Sequence, residues 1–336
     1  MHVYLNTRVS LFKSRLWPEA QVSELIDAAD AALPGLLERR GLRQLADGYA
    51  NDDPRSLEAR IVAILLEETR ILLRPLTGAA RQFLLYWIGR FEVSNVKSLI
   101  RAKMAGESAT ATAARLLDLG YFTHLDADAL MRAEDVAELL RRLERTAYAE
   151  IVRNARQAFE ESHDPFILDA TLDRAYYDGL IRRARAIEPE AGPGFGRLMA
   201  DLIDRLNLVW LLRYRFNYGL PPAQVYYLLL TPGYRLAPSL LRTLVGRDDL
   251  AAVLAGLPEV LARPLAGATA IPEVSARLER AAMDQARMVL DRDGHPLARA
   301  LAYLILRESG LRDLRGILRG RRLGLAPDDI RRAAGV

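Results

Sequence analysis

The chain has no cysteine, so no disulfide framework, thiol nucleophile or thiolate metal site can be built from it. That absence suits the cytosol. Its four histidines, His2, His124, His163 and His295, are far apart, and none forms the two-His helical pair that zinc hydrolysis uses. A phosphate-gripping loop needs glycines followed by Lys-Ser/Thr, and no such run occurs. Gly192-Pro193-Gly194-Phe195-Gly196 has glycines in number, but no strand precedes it and the proline removes a donor, so it reads as a flexible connector between helices. The diacids Asp52-Asp53, Asp248-Asp249 and Asp328-Asp329 lack the third acid, four places after the first, that a diphosphate-binding aspartate helix needs. The helical pairs Asp169/Asp173 and Asp201/Asp204 have the spacing to share Mg²⁺, yet Asp173 and Asp204 are explained more simply by a repeat described below. The residues therefore point to a protein without catalytic site, cofactor, metal or small-molecule substrate.

Long apolar runs are missing too. The opening MHVYLNTRVSLFKSRLWPEA has no uninterrupted apolar core of signal-peptide length. The longest uncharged run, residues 216–234, is broken by Pro221, Pro222 and Pro232 and would not cross a bilayer as a helix. Lysine is almost absent, at Lys13, Lys97 and Lys103 only, so arginine carries nearly all the positive charge. The formal net charge of +4 sits in residues 311–336, which hold seven Arg against three Asp. Elsewhere arginines alternate with acids as on a solvated helix face, and there is no basic groove with interleaved aromatics, which speaks against nucleic acid as a partner.

What the chain does have is one helical phrase written three times. It runs Asn/Asp, a branched aliphatic, two variable residues, two aliphatics, Arg, any residue, Lys/Arg, then a glycine. The copies begin at Asn95, Asn207 and Asp313, 112 and 106 residues apart, and carry Arg101 with Lys103, Arg213 with Arg215, and Arg319 with Arg321. The aliphatics fall at i, i+3 and i+4 and make one apolar stripe of a helix. The glycines Gly106, Gly219 and Gly324 are where such helices would stop.

A second landmark keeps register with the first. Leu57-Glu58, Leu172-Asp173 and Leu278-Glu279 place an acid 37, 34 and 34 residues before the phrase. Between the two landmarks each copy has a helical stretch, a break and a second apolar stretch. A period near 110 residues exceeds the roughly 20 to 50 of solenoid repeats, so each unit is closer to a small domain. The expected fold is all-α, with three similar helical modules at 1–110, 111–222 and 223–336. Helices are expected near 19–31, 56–74, 79–104, 108–118, 126–160, 168–186, 195–217, 221–230, 238–245, 247–255, 272–291, 295–320 and 327–334, with Ser56, Thr171 and Pro327-Asp328-Asp329 at helix starts.

The repeated polar residues Asn95, Arg101, Asn207, Arg213, Asp313 and Arg319 have two compatible readings. They hold helices together, each Asn with its hydrogen bonds satisfied and each Arg paired with acids of the preceding helix. Alternatively, three Arg-bearing helices point to a common axis and line a socket for a partner.

Tyr4-Leu5-Asn6-Thr7-Arg8-Val9, the run from Arg90 to Lys103, Ile203-Asp204-Arg205-Leu206-Asn207-Leu208 with Leu212-Arg213, and Leu311-Arg312-Asp313-Leu314-Arg315 with Gly324-Leu325 together resemble the C subunit of prokaryotic V/A-type ATPases, whose eukaryotic counterpart is the d subunit of the vacuolar proton pump. The likeness spans nearly the whole chain. In the third copy Gly310 stands where Glu92 and Asp204 stand in the others, and Asp313 replaces Asn. The resemblance implies a funnel or cup of three modules about a pseudo-threefold axis, without an active site. Such a protein sits peripherally on the cytoplasmic face of the proteolipid ring and receives the central shaft, coupling ATP chemistry to ion transport. The basic tail, Arg319, Arg321, Arg322, Arg331 and Arg332, is then a candidate for contact with the ring or with anionic lipid. The rival is a helical scaffold unrelated to rotary motors, with a helical enzyme a distant third.

Overall fold

The computed structural model describes residues 2–46, 54–162 and 164–334, and every regular element among them is helical. Asp52-Asp53 and His163 lie outside the described residues. The first helices are α1 (His2–Lys13), α2 (Glu19–Asp27), α3 (Leu33–Glu38) and α4 (Arg43–Ala46). The long α5 (Pro54–Leu73) then leads through Thr77 to α6 (Gly78–Ile88) and α7 (Arg90–Met104). The expected helix 79–104 is thus two, bent at Gly89, where φ −57° and ψ −15° tighten the backbone without unwinding it.

The stretch expected as one helix over 126–160 is three: α9 (Ala127–Met131), α10 (Val136–Leu143) and α11 (Ala149–Ser162), preceded by the short α8 (Ala109–Ala113). Local capping explains the breaks. Asp126 Oδ1 accepts from Ala129 N, and Asp135 Oδ1 accepts from Glu138 N at 2.7 Å while Glu138 Oε2 accepts from Glu134 N. Carboxylates that satisfy the free N–H groups of a new first turn stop the previous helix from running on.

The longest element, α12 (Pro165–Leu212), begins earlier than expected. Asp164 accepts from Phe166 N, and Pro165 preorganises the first turn, so Thr171 is interior and its hydroxyl donates back to Ile167 O. The Gly192-Pro193 break is a kink rather than a loop: Gly192 takes φ +80°, open to glycine alone without strain, and helix resumes at once. A π-helical turn over Arg213–Asn217 closes the element. After it come α13 (Pro222–Leu228), α14 (Pro238–Val245), α15 (Leu250–Ala255), α16 (Glu259–Ala262), α17 (Ile271–Arg292), α18 (Pro296–Arg322) and α19 (Pro327–Ala334). His295 N-caps α18 through Nδ1.

The core is continuous through most of the chain. α12 packs on α6, α7, α17 and α18, while α18 packs on α5 and α1, so helices of the second half of the sequence pack on those of the first. A smaller cluster, including Val96, Leu139, Val152 and Leu172, fills the space between α7, α10, α11 and the start of α12. Among the described residues no helix is long and apolar enough to cross a membrane.

Candidate functional site

Several matched residues of the three copies come together. Twelve places before the phrase stand Phe83, Phe195 and Leu301, all fully buried, and the rings of Phe83 and Phe195 pack edge to face with centroids 5.0 Å apart. Eight places before it stand Trp87, Met199 and Ile305, and five places before it Arg90, Leu202 and Glu308. Arg90, Leu202 and Glu308 all line one cavity of about 210 Å³, together with Trp87 and Ile305. The spacing of four and then three residues is that of a coiled-coil seam. Equivalent residues of the first and second copies thus touch at the aromatic level, and those of the first and third at the charged one. The seam grades from an aromatic floor to a charged upper level, where Arg90 Nη2 donates to Glu308 Oε2 at 2.6 Å while its guanidinium covers Trp87 and Phe91.

The acids of the second landmark are all paired. Asp173 accepts from Lys97 Nζ at 2.8 Å. Glu279 pairs with Arg312 and lies 3.8 Å from Arg205, and Glu58 pairs with Arg315 at 2.8 Å. The acid of the second copy thus meets the phrase helix of the first, that of the third meets the second, and that of the first meets the third. Burial pushes the Asp173 carboxyl above its ordinary value, with Lys97 pulling the other way. Asp169 is engaged by Arg101 and Lys97, so the Asp169/Asp173 pair is occupied by cations of the protein itself.

The two asparagines do one job. Asn95 Nδ2 donates to Leu117 O and its Oδ1 accepts from Leu117 N, both at 2.8 Å. Asn207, wholly buried, does the same with Leu230, at 3.0 and 2.8 Å. Three residues earlier the acids repeat the device. Glu92 Oε1 accepts from His124 N and Leu125 N, with Tyr148 Oη on its other oxygen; the carboxylate of Asp204 accepts from Arg235 N and Leu236 N. Asp313 is exposed, and among the described residues it makes no such pair of bonds.

The arginines behave differently from the asparagines. The acid that Arg101 meets, Asp169, is on α12, which follows it in sequence, so pairing with the preceding helix does not occur. Arg213 and Arg319 are exposed, with no ion pair among the described residues. In the basic tail Arg321 is turned inward, with 10% of its side chain exposed, and donates to Leu25 O, Ile26 O, Ala28 O and Asp30. Arg331 pairs with Asp27 and Asp328, and Arg332 with Asp329 while keeping 78% of its side chain exposed, so Arg319, Arg322 and Arg332 are the tail's outward cations.

Sequence reasoning missed a buried cluster where the ends of the chain meet. Arg307, 1% exposed, grips both oxygens of Glu68 at 3.1 Å, and Glu68 also accepts from Tyr303 Oη and Arg15. A buried carboxylate with four donors and a two-pronged guanidinium has the satisfaction such a pair needs. Only the oddity of Glu68 and Arg307 on otherwise apolar helix faces could have signalled it.

The body is all-helical, residues of all three phrase helices line one cavity, and among the described residues no cluster of His, Cys, Asp or Glu could hold a metal. The chain belongs to the ATP synthase (C/AC39) subunit family, whose profile matches residues 5–333. It is 25% identical to the A-type ATP synthase C subunit of Methanocaldococcus jannaschii over 98% of this chain and 85% of that protein. It is 24% identical to that of Haloquadratum walsbyi (98% and 96%) and 22% identical to that of Methanosarcina barkeri (98% and 91%).

Proposed function

We propose that the protein is the non-catalytic central-stalk adaptor of a rotary V/A-type ATPase. Its three modules form a cup about the central seam, seated peripherally on the proteolipid ring at the cytoplasmic face, and the cup receives the central shaft to couple ATP synthesis or hydrolysis to ion transport. The observation that carries this reading is the convergence of Arg90, Leu202 and Glu308, matched residues of three copies, on one cavity in a chain of this family. A cavity of about 210 Å³ has room for side chains or water. It cannot take a helix about 10–12 Å across. The shaft therefore meets the charged mouth, near Arg205 and Arg312, and the aromatic level is the floor. Arg319 and Arg322 are free to face acidic ring loops or lipid headgroups.

The test is photocrosslinking in the assembled complex, with a benzophenone amino acid at Arg312 and, separately, at Arg322. Capture of a shaft protein from Arg312 and of the ring or lipid from Arg322 is expected. If the purified protein captures neither partner and binds neither in pull-down, the motor reading fails and the unrelated-scaffold reading takes its place.

A further inference from the structure

The second cation of each phrase does the same work, and in the third copy its partner lies at the other end of the sequence. Lys103 Nζ donates to Met131 O at 3.1 Å and to Ala133 O, at the end of α9. Arg215 Nε donates to Val245 O at 2.8 Å, at the end of α14. Arg321 donates to Leu25 O and Ile26 O at 3.0 and 2.7 Å, and to Ala28 O, at the end of α2. A cation on the last carbonyls of a helix satisfies groups that have no intrahelical partner and opposes the negative end of the dipole.

The gripped helices share a sequence. Leu130-Met131 precedes Asp135, Leu244-Val245 precedes Asp249, and Leu25-Ile26 precedes Asp30, each acid five residues after the leucine. The three leucines are buried, Asp135 and Asp249 each N-cap the next helix, and Asp30 opens the next turn of helix. The packing order repeats as well: α8 lies on α9, α13 on α14 and α19 on α2.

The exception at Gly310 fits the same scheme. Leu125 and Leu236, whose N–H groups bond Glu92 and Asp204, stand two residues before α9 and α14 begin. Two residues before α2 begins stands Trp17, and a Cβ built on Gly310 would lie 3.8 Å from its Cδ1. That is ordinary van der Waals contact, so the place of the acid in the other copies lies beside the indole in this one. In the third copy packing of Trp17 replaces the carboxylate's bonds.

We infer that the N-terminal segment is the third copy of an element the chain uses twice elsewhere, so that the third unit is assembled from both ends of the sequence and α1–α2 is the strap that closes the array. The strap is held by arginines: Arg307 on Arg15 O, Arg299 on Asn6 and Ser10, Arg331 on Asp27 and Arg321 on α2. The first and second units meet through the stacked pair Tyr86 and Tyr176 as well as through the ion pairs of Lys97 and Arg101. Units 54–143, 165–262, and 271–334 with 19–46 then replace a linear division into thirds. This inference stands whether or not the protein serves a rotary motor.

Hydrogen exchange on the full chain tests it. Lys103→Ala, Arg215→Ala and Arg321→Ala are expected to cut amide protection by about tenfold or more in α9, α14 and α2 respectively, each leaving the other two unchanged. Arg321→Lys is expected to keep most of the protection in α2, because Lys103 does that work in the first copy. Unchanged α2 protection in Arg321→Ala, or an equal loss in all three helices, overturns the inference. Circular permutants with residue 336 joined to residue 1 through a Gly/Ser linker, and opened between Gly120 and Tyr121 or between Thr231 and Pro232, give a second reading. At least one should be soluble and melt cooperatively. If neither does, the units are not interchangeable and the equivalence is lost.

Discussion

Arg90 and Glu308 stand 218 residues apart and meet at 2.6 Å, each five residues before its own copy of the phrase. The same place in the middle copy is Leu202, which faces the same cavity. One position of the repeat has thus become a cation, an aliphatic and an anion around a shared space. The pair is 17% and 30% exposed, between the surface and buried regimes of ion pairing. A double-mutant cycle with Arg90→Met and Glu308→Gln should give a coupling of about 1 kcal/mol in urea unfolding. Arg90→Met alone should cost more than Glu308→Gln, because Arg90 also covers Trp87. Equal single costs with no coupling would mean that the contact carries no stability.

Asn207→Ala should destabilise by about 2–4 kcal/mol, since it strands both N–H and C=O of Leu230 in a fully buried place. Asn95→Ala, at a half-buried site open to solvent, should cost about half as much. Chemical denaturation of the two variants checks the ranking, and a reversed order would contradict the geometry.

Gly179→Ala would place a Cβ 2.1 Å from Tyr86 Oη, which donates to Tyr176 O. The ring must withdraw, losing that bond and the parallel stack on Tyr176. A loss of about 1–3 kcal/mol is expected. Gly179→Ala combined with Tyr86→Phe should cost less than the sum of the two single changes.

Burial pushes the hydroxyls of Tyr86, Tyr177 and Tyr234 up to about 12, from an ordinary value of 10.0. The unfolded chain releases these protons first on raising the pH, so the folded state holds more protons between about pH 10 and 12 and its stability falls across that window. Absorbance at the tyrosinate band should rise in two stages, the later one coinciding with loss of helix. Complete ionisation near pH 10 with helix intact would refute the burial of these rings.

Much of the fold was legible because amphipathic periodicity is local. α14, α17, α18 and α19 lie within a residue or two of their expected bounds. α1 was missed, having almost no amphipathic contrast: its buried residues Leu5, Val9 and Phe12 share it with the exposed Val3, Tyr4 and Leu11. The spacing of the phrase pointed to Asn95 and Asn207 without naming Leu117 and Leu230, because a side chain that bonds backbone leaves no partner residue type to read. The landmark acids were visible, yet Glu58 and Asp173 find their partners in a neighbouring copy, and nothing local in Glu58 indicates Arg315. Arg321 was legible as a charge and misleading as a surface, since a guanidinium on helix-end carbonyls needs no acid to betray it.

The seam between α1 and α18 also fixes where force enters the molecule. The two helices lie side by side and belong to opposite ends of the sequence. A pull applied between α1 and α19 loads that seam, where the bonds of Arg299 and Arg307 stand beside the packing of Phe12 on Tyr303. The aromatic stack of Tyr86 on Tyr176 and the edge contact of Phe83 with Phe195 are off the load path until the strap has gone. Tension between the ends would register as one early rupture, followed by the unravelling of helices that no longer face a partner.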